Sequence, residues 1–262
     1  MIELARRDGR PLRIGHRGAA ALAPENTLRS FRAAVAEGVD LVEFDVYELT
    51  GGELVVAHSD DLHEVSHGAH EGTIRGLSLS SLTELCPELL TLEQALGFFV
   101  DEAPEVGAHL DLKVRGREQD VVDAIRRLGL RERSLVSSLD VRSVRSLARL
   151  DPGLRAGFTL PRSVLGITEE GRGARVARLG LTALRPLMPL LVGPVLAVSR
   201  SRVLVLHHSV VSESAVRRAH ARGVPVVTWT VDDPDELRRV DEAGVDAVVT
   251  NDPTLFVSTL GT

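Results

Sequence analysis

Val203-Leu204-Val205-Leu206-His207, then SESAVRRAHARG over 212–223, then Val224–Thr230, then PDELRRVDEAG over 234–244, then Ala247–Thr250: this stretch decides the fold class. Short runs rich in β-branched residues read as strands, and the amphipathic segments between them read as helices. Each of these helices closes on a glycine, Gly223 or Gly244, one or two residues before the next apolar run. Working outward to the N-terminus, the same alternation predicts strands at Leu12–Gly15, Leu41–Val46, Leu54–His58, His109–Val114, Ser134–Ser138 and Ala156–Thr159. A helix is predicted over Asn26–Gly38, with Phe31, Ala34 and Val35 on one face. Strand–helix alternation over 262 residues favours an α/β chain whose parallel sheet closes into a TIM (β/α)8 barrel. An open doubly wound sheet is the alternative, but no G-x-G-x-x-G follows the first strand.

Two stretches break the rhythm. Ser59–Pro87 is rich in glycine and holds His63, His67 and His70 at loose spacing, which reads as a solvated loop excursion rather than a metal site. Arg162–Arg202, after the fifth barrel strand, is about twice what one crossover helix needs and is expected to carry a helical insertion over the rim. Its half Leu181–Val198 is nearly all apolar, but Pro186, Pro189 and Pro194 argue against a simple membrane helix. That surface should pack on the rim, on a second subunit or on lipid, with Arg172, Arg175, Arg178 and Arg185 alongside to meet anionic groups.

The chain is 44% hydrophobic and 26% charged, the balance of a soluble globular protein. A single cysteine, Cys86, excludes an internal disulfide and a cysteine zinc cluster, and points to a reducing, cytoplasmic setting. The first eight residues contain no apolar h-region of a signal peptide. A formal charge of −6 argues against bulk nucleic-acid binding, which depends on neutralising phosphates.

In a β/α barrel the reactive side chains stand where the strands end. The first strand ends Gly15-His16-Arg17-Gly18, the second carries Glu43-Phe44-Asp45, the next run ends Ala57-His58, and a fourth holds Asp111-Leu112-Lys113. Period-two alternation puts Glu43 with Asp45, and Asp111 with Lys113, on common faces. Three neighbouring carboxylates are costly to bury unless a hard divalent cation sits among them. His16 and His58 can carry protons near neutral pH, and Arg17 and Lys113 suit an anionic oxygen. Singly, each feature reads more readily as a salt bridge or a structural or solvated histidine. All seven converging on one rim point to phosphoryl chemistry. His207-His208 ends the sixth barrel strand, where the residues leave open whether either of the two faces the pocket; Trp229 is placed as a pocket wall as readily as core.

These motifs, with Pro24-Glu25-Asn26-Thr27, Gly38-Val39-Asp40, Val55-Val56, Val226–Val231 and Thr250-Asn251-Asp252-Pro253, resemble the glycerophosphodiester phosphodiesterase family over about residues 12–255. The resemblance implies a TIM barrel with a Mg²⁺ or Ca²⁺ site held by Glu43 and Asp45, with Asp111 as the third ligand. It implies His16 and His58 as the acid/base pair and Arg17 and Lys113 as phosphate contacts, with Trp229 counted among the substrate-binding candidates. The implied reaction cleaves a small-molecule glycerophosphodiester to an alcohol and glycerol 3-phosphate. A lysophospholipase D or sphingomyelinase-D-like enzyme on lipid substrates is the alternative, favoured by the apolar stretch and its peripheral lipid contact. Three departures stand out: Asp111 occurs where the family usually has Glu, Ser59 where Asp usually follows the second histidine, and Asn251 where Asp is common.

Overall fold

The β-branched runs form nine strands: β1 (Leu12–Gly15), β2 (Leu41–Glu48), β3 (Leu54–Val56), β4 (Gly107–Leu112), β5 (Ser134–Ser138), β6 (Arg155–Leu160), β7 (Val203–His207), β8 (Val226–Trp229) and β9 (Ala247–Thr250). The structure, a computed structural model, describes residues 3–160 and 182–261. Their order in the sheet is β1-β9-β8-β7-β6-β5-β4-β2-β3, and the β1–β2 pairing closes eight parallel strands into a barrel surrounded by helices. This is the expected TIM barrel. Helix starts are fixed by side-chain caps, Thr27 for Leu28–Ala36, Ser212 for Glu213–His220 and Asp233 for Pro234–Glu242, each contributing about 1 kcal/mol. The first helix is therefore shorter than predicted: Thr27 is its cap, and Asn26 stands outside it with φ of 60°.

Alternation sorts the barrel interior into layers. Leu12, Ile14, Leu41, Leu135, Val203, Val205, Val227, Ala247 and Val249 form one buried apolar cluster where the strands begin and along their middle. Two residues further along the same faces come Glu43 and Asp45, Asp111, Ser137, His207 and Trp229. The inside of the barrel thus changes from hydrocarbon to charge along its axis, and that change positions the site. Outside, Phe31, Phe44, Phe98 and Phe99 pack ring on ring between sheet and helices.

Two expectations change. The run ending in His58 is not a parallel barrel strand. Leu49 and Glu53 close a turn through Gly52, and β3 runs antiparallel to β2 with Val46 opposite Val56. His58 is brought back down to the rim by this hairpin, two residues past the end of β3. The following excursion holds two short helices, Leu62–Val65 and Leu79–Leu85, over a small core of Tyr47, Leu49, Val55, Ile74, Leu82 and Cys86.

The second change concerns the apolar stretch. Residues 161–181, with Arg172, Arg175 and Arg178, lie outside the described residues, but Met188–Ser199 forms the crossover helix between β6 and β7. It packs between the helices Val141–Leu150 and Glu213–His220 and buries Met188, Val192 and Leu196. Thr182–Ser199 has the length and apolarity of a membrane span. Its apolarity on all sides hid in the sequence the one stripe that a crossover helix needs. The outer side remains apolar and exposed at Leu187, Leu190, Leu191 and Val198.

Candidate active site

The tight turn after β1 carries the first two functional side chains. Gly15 and Gly18 are required there: a Cβ on Gly15 would meet the Gly18 carbonyl, and one on Gly18, at φ of 89°, would meet the Ser30 backbone. Arg17 takes φ of 49°, a left-handed conformation that costs a non-glycine residue about 1–2 kcal/mol. It is held there by its own N–H, which donates to Glu43 Oε2 at 2.9 Å, and by its carbonyl, which accepts from Asn26 N–H.

The carboxylates stand side by side because β2 and β4 pair Glu43 with His109 and Asp45 with Asp111. Oxygens of Glu43, Asp45 and Asp111 all lie within 4.8 Å of one another. Lys113 Nζ sits between Asp45 (2.7 Å) and Asp111 (2.5 Å), and Arg17 Nε lies 3.2 Å from Asp45. Three carboxylates share two cations in a buried place, so the charges do not balance. Burial alone would raise the Asp45 pKa, but Lys113 and Arg17 outweigh it and hold Asp45 far below the carboxylate range. Glu43 goes the other way: burial, then the Asp45 charge, push it well above its usual value. Burial would lower Lys113, but Asp111, Asp45 and Glu43 keep it above its ordinary value, and Asp45, Glu25 and Glu43 do the same for Arg17. An all-oxygen cluster short of one positive charge fits a hard divalent cation.

The histidines flank this cluster. His16 Nε2 lies 3.9 Å from Glu43 Oε2, and its Nδ1 is 2.7 Å from Asn251 Oδ1. Burial, then the neighbouring Arg17, lower its pKa to about 4. The His58 side chain is 39% exposed, against 16% for His16, and its Nδ1 lies 3.0 Å from Glu64 Oε1. Trp229 lines the rim edge-to-face with His207, ring centroids 5.3 Å apart. His207 is thus the inward member of its pair, while His208 turns to Glu236 at 3.1 Å. His63 pairs with Glu71 in the excursion.

Every site residue expected from sequence therefore stands on the same rim. Sequence reasoning missed the residues that brace them. Asn26 donates to Asp45 Oδ2 at 3.0 Å and accepts from the Asp45 N–H. Glu25 takes the Arg17 guanidinium at 2.6 Å, Glu64 bonds His58 and Ser59, and Ser137 links Asp111 to His109. Asn26 and Glu25 were within a quoted motif; the others had no local signal.

Comparison with known proteins gives the family and the fold. The glycerophosphoryl diester phosphodiesterase family model matches residues 16–255. The chain belongs to that family. A glycerophosphodiester phosphodiesterase from Caldanaerobacter subterraneus subsp. tengcongensis is 26% identical over 94% of this chain and 96% of its own length. An Agrobacterium tumefaciens glycerophosphodiester phosphodiesterase has the same fold, with a TM-score of 0.71 at 19% identity over 95% of this chain and 99% of its own. An Oleispira antarctica phosphodiesterase, solved with the product sn-glycerol-3-phosphate, gives 0.70 at 23% identity over 97% and 98%. The glycerophosphoryl diester phosphodiesterases are phosphoric diester hydrolases, and this chain is an enzyme of that class with an acidic cluster able to hold a metal.

Proposed function

We propose that the chain hydrolyses small glycerophosphodiesters to an alcohol and glycerol 3-phosphate, using His16 and His58 for proton transfer beside a divalent cation. The observation that carries this reading is the buried trio Glu43, Asp45 and Asp111, short of one positive charge, with both histidines at its edge. Glu43, Asp45 and Asp111 would hold Mg²⁺ or Ca²⁺, which would offset negative charge building on the phosphoryl oxygens. Arg17 and Lys113 add positive potential that draws in the diester anion and stabilises its transition state. One histidine takes the proton from the attacking O–H as its oxygen bonds to phosphorus; that O–H is water's, or the neighbouring substrate hydroxyl's with water then opening the cyclic phosphate. The other gives a proton to the alcohol oxygen as its bond to phosphorus breaks, so the leaving group departs neutral. Trp229 offers the apolar wall for the glycerol backbone. The buried Cys86, with no partner for a disulfide, suits a cytoplasmic setting.

One observation favours a lipid substrate as the second reading. Leu187, Leu190 and Leu191 are exposed at the end of the crossover helix nearest the catalytic rim, where Arg185 Nε donates to the Ser209 carbonyl after β7. An acyl chain could lie there, gaining about 0.8 kcal/mol per CH₂ buried. The test is product analysis with glycerophosphocholine, glycerophosphoethanolamine and lysophosphatidylcholine. Glycerol 3-phosphate from the first two is expected. Release of choline from the lysolipid alone would replace the first reading with the second.

A further inference from the structure

His16 meets the barrel wall through a residue from another strand end. Its Nδ1 lies 2.7 Å from Asn251 Oδ1, just past β9. Asn251 is itself fixed: its Nδ2 donates to Asp232 Oδ2 at 2.6 Å and its backbone N–H to Asp232 Oδ1 at 2.8 Å. Thr250 Oγ1 donates to the same Oδ1 at 3.0 Å, so Asp232, just past β8, takes three donors from one short segment. A carboxylate offers only acceptors. Rotating the Asn251 amide by half a turn would set its oxygen against Asp232 at 2.6 Å, acceptor to acceptor. The amide nitrogen must therefore face Asp232, and the amide oxygen must face His16. An oxygen at 2.7 Å from a ring nitrogen needs a proton between them. That proton belongs to Nδ1.

We propose that Asn251, clamped by Asp232, fixes the tautomer of His16 with its proton on Nδ1, so that Nε2 presents its lone pair toward the carboxylate cluster. The choice matters in the neutral ring, which carries one N–H and not two. With the opposite tautomer, Nε2 would carry the proton and could not accept one. Asn251 and Asp232 are positioning residues: they act through His16. The inference rests on the proposed role of His16 as a proton carrier, but its observable does not.

The test uses the full chain labelled with ¹⁵N-histidine, in the resting state without substrate, at a pH where the histidine rings are neutral. Long-range proton–nitrogen spectra distinguish Nδ1–H from Nε2–H rings, and loss of one signal set in His16→Gln identifies His16. The wild type is expected to show Nδ1–H. Asp232→Ala, which frees the amide to rotate, and Asn251→Leu, which removes the acceptor, are expected to bring in the Nε2–H form. The exchanged pair Asn251→Asp with Asp232→Asn, which keeps a donor between the two residues and an acceptor oxygen toward His16, should retain Nδ1–H. Turnover should fall about 10–100-fold in the first two variants with KM little changed, the usual cost of losing a histidine's orienting partner. An Nε2–H ring in the wild type, or an unchanged tautomer in both Asp232→Ala and Asn251→Leu, overturns the inference. A shifted tautomer with undiminished turnover would leave the clamp standing and overturn instead the reading of His16 as a proton carrier.

Discussion

Where the barrel strands begin, Asp151 accepts from the N–H groups of Gly153 and Leu154 and from the side chains of Arg126 and Arg131, and its pKa falls to about 2. Asp246, at the same end, accepts from the Val226 N–H and pairs with His220, both at 2.7 Å. Where the strands finish, Glu43, Asp45 and Asp111 share Arg17 and Lys113, and Glu43 is pushed well above its usual pKa. Asp151 is fully compensated, whereas at the rim Asp45 takes the cations and Glu43 is left short of them. Carboxylates that receive a full set of donors hold the turns of the fold together, whereas carboxylates left short of positive charge oppose it and are kept for chemistry.

The largest expected effect lies at the rim. His16→Ala and His58→Ala should each lower turnover by about two to four orders of magnitude, the range for a general acid or base. Steady-state rates on a glycerophosphodiester measure this, and more than a tenth of wild-type activity in either variant would remove that histidine from the chemistry.

At the opposite end, Asp151→Ala should leave turnover nearly unchanged but destabilise the fold by about 2 kcal/mol, read as a lowered Tm. The folded-state pKa of Asp151 is depressed, so its stabilisation is present above pH of about 4 and lost as pH falls toward its folded value of about 2. Thermal melts across that window should show wild type and variant converging at the acid end. If they stay parallel, the donors around Asp151 are not stabilising its charge.

Glu43→Gln should reverse both signs. Glu43 has a raised folded pKa, so its penalty is absent in acid and grows as pH rises above the usual carboxylate range. The amide should stabilise metal-free protein at neutral pH by about 1 kcal/mol, read as a raised Tm, while turnover collapses. A lowered Tm would mean that the rim is as well compensated as the other end. The smallest effect is expected on the crossover helix: Leu190→Glu should leave hydrolysis of a small diester nearly unchanged, since Leu190 is 62% exposed. A large loss on that substrate would show that its outer side contributes to the small-diester site.

What the sequence made legible follows from how far each signal reaches. Alternation along one strand is local, so Glu43 with Asp45 and Asp111 with Lys113 could be placed on their faces before any fold was known. His58 was placed on the correct rim by an incorrect route, because a strand pattern does not tell a parallel neighbour from the returning arm of a hairpin; the turn through Gly52 decides that. The crossover helix Met188–Ser199 was hidden because an element apolar all round has no visible stripe. The contacts made by Glu64, Asn26, Ser137 and Asn251 are illegible for a different reason. Their partners lie from 6 to 235 residues away, on other segments that only the folded chain brings alongside.

The most direct measurement is turnover of a glycerophosphodiester by exhaustively chelated protein, before and after Mg²⁺ or Ca²⁺ is added back, with a thermal melt of each sample. Chelated protein should be folded and inactive. The added ion should restore turnover and raise stability by RT ln(1 + [L]/Kd), about 2.7 kcal/mol at a hundredfold excess over Kd, and Glu43→Gln should lose most of that gain. Full turnover after chelation, with no shift on adding either ion, would contradict the assignment of Glu43, Asp45 and Asp111 as a cation site.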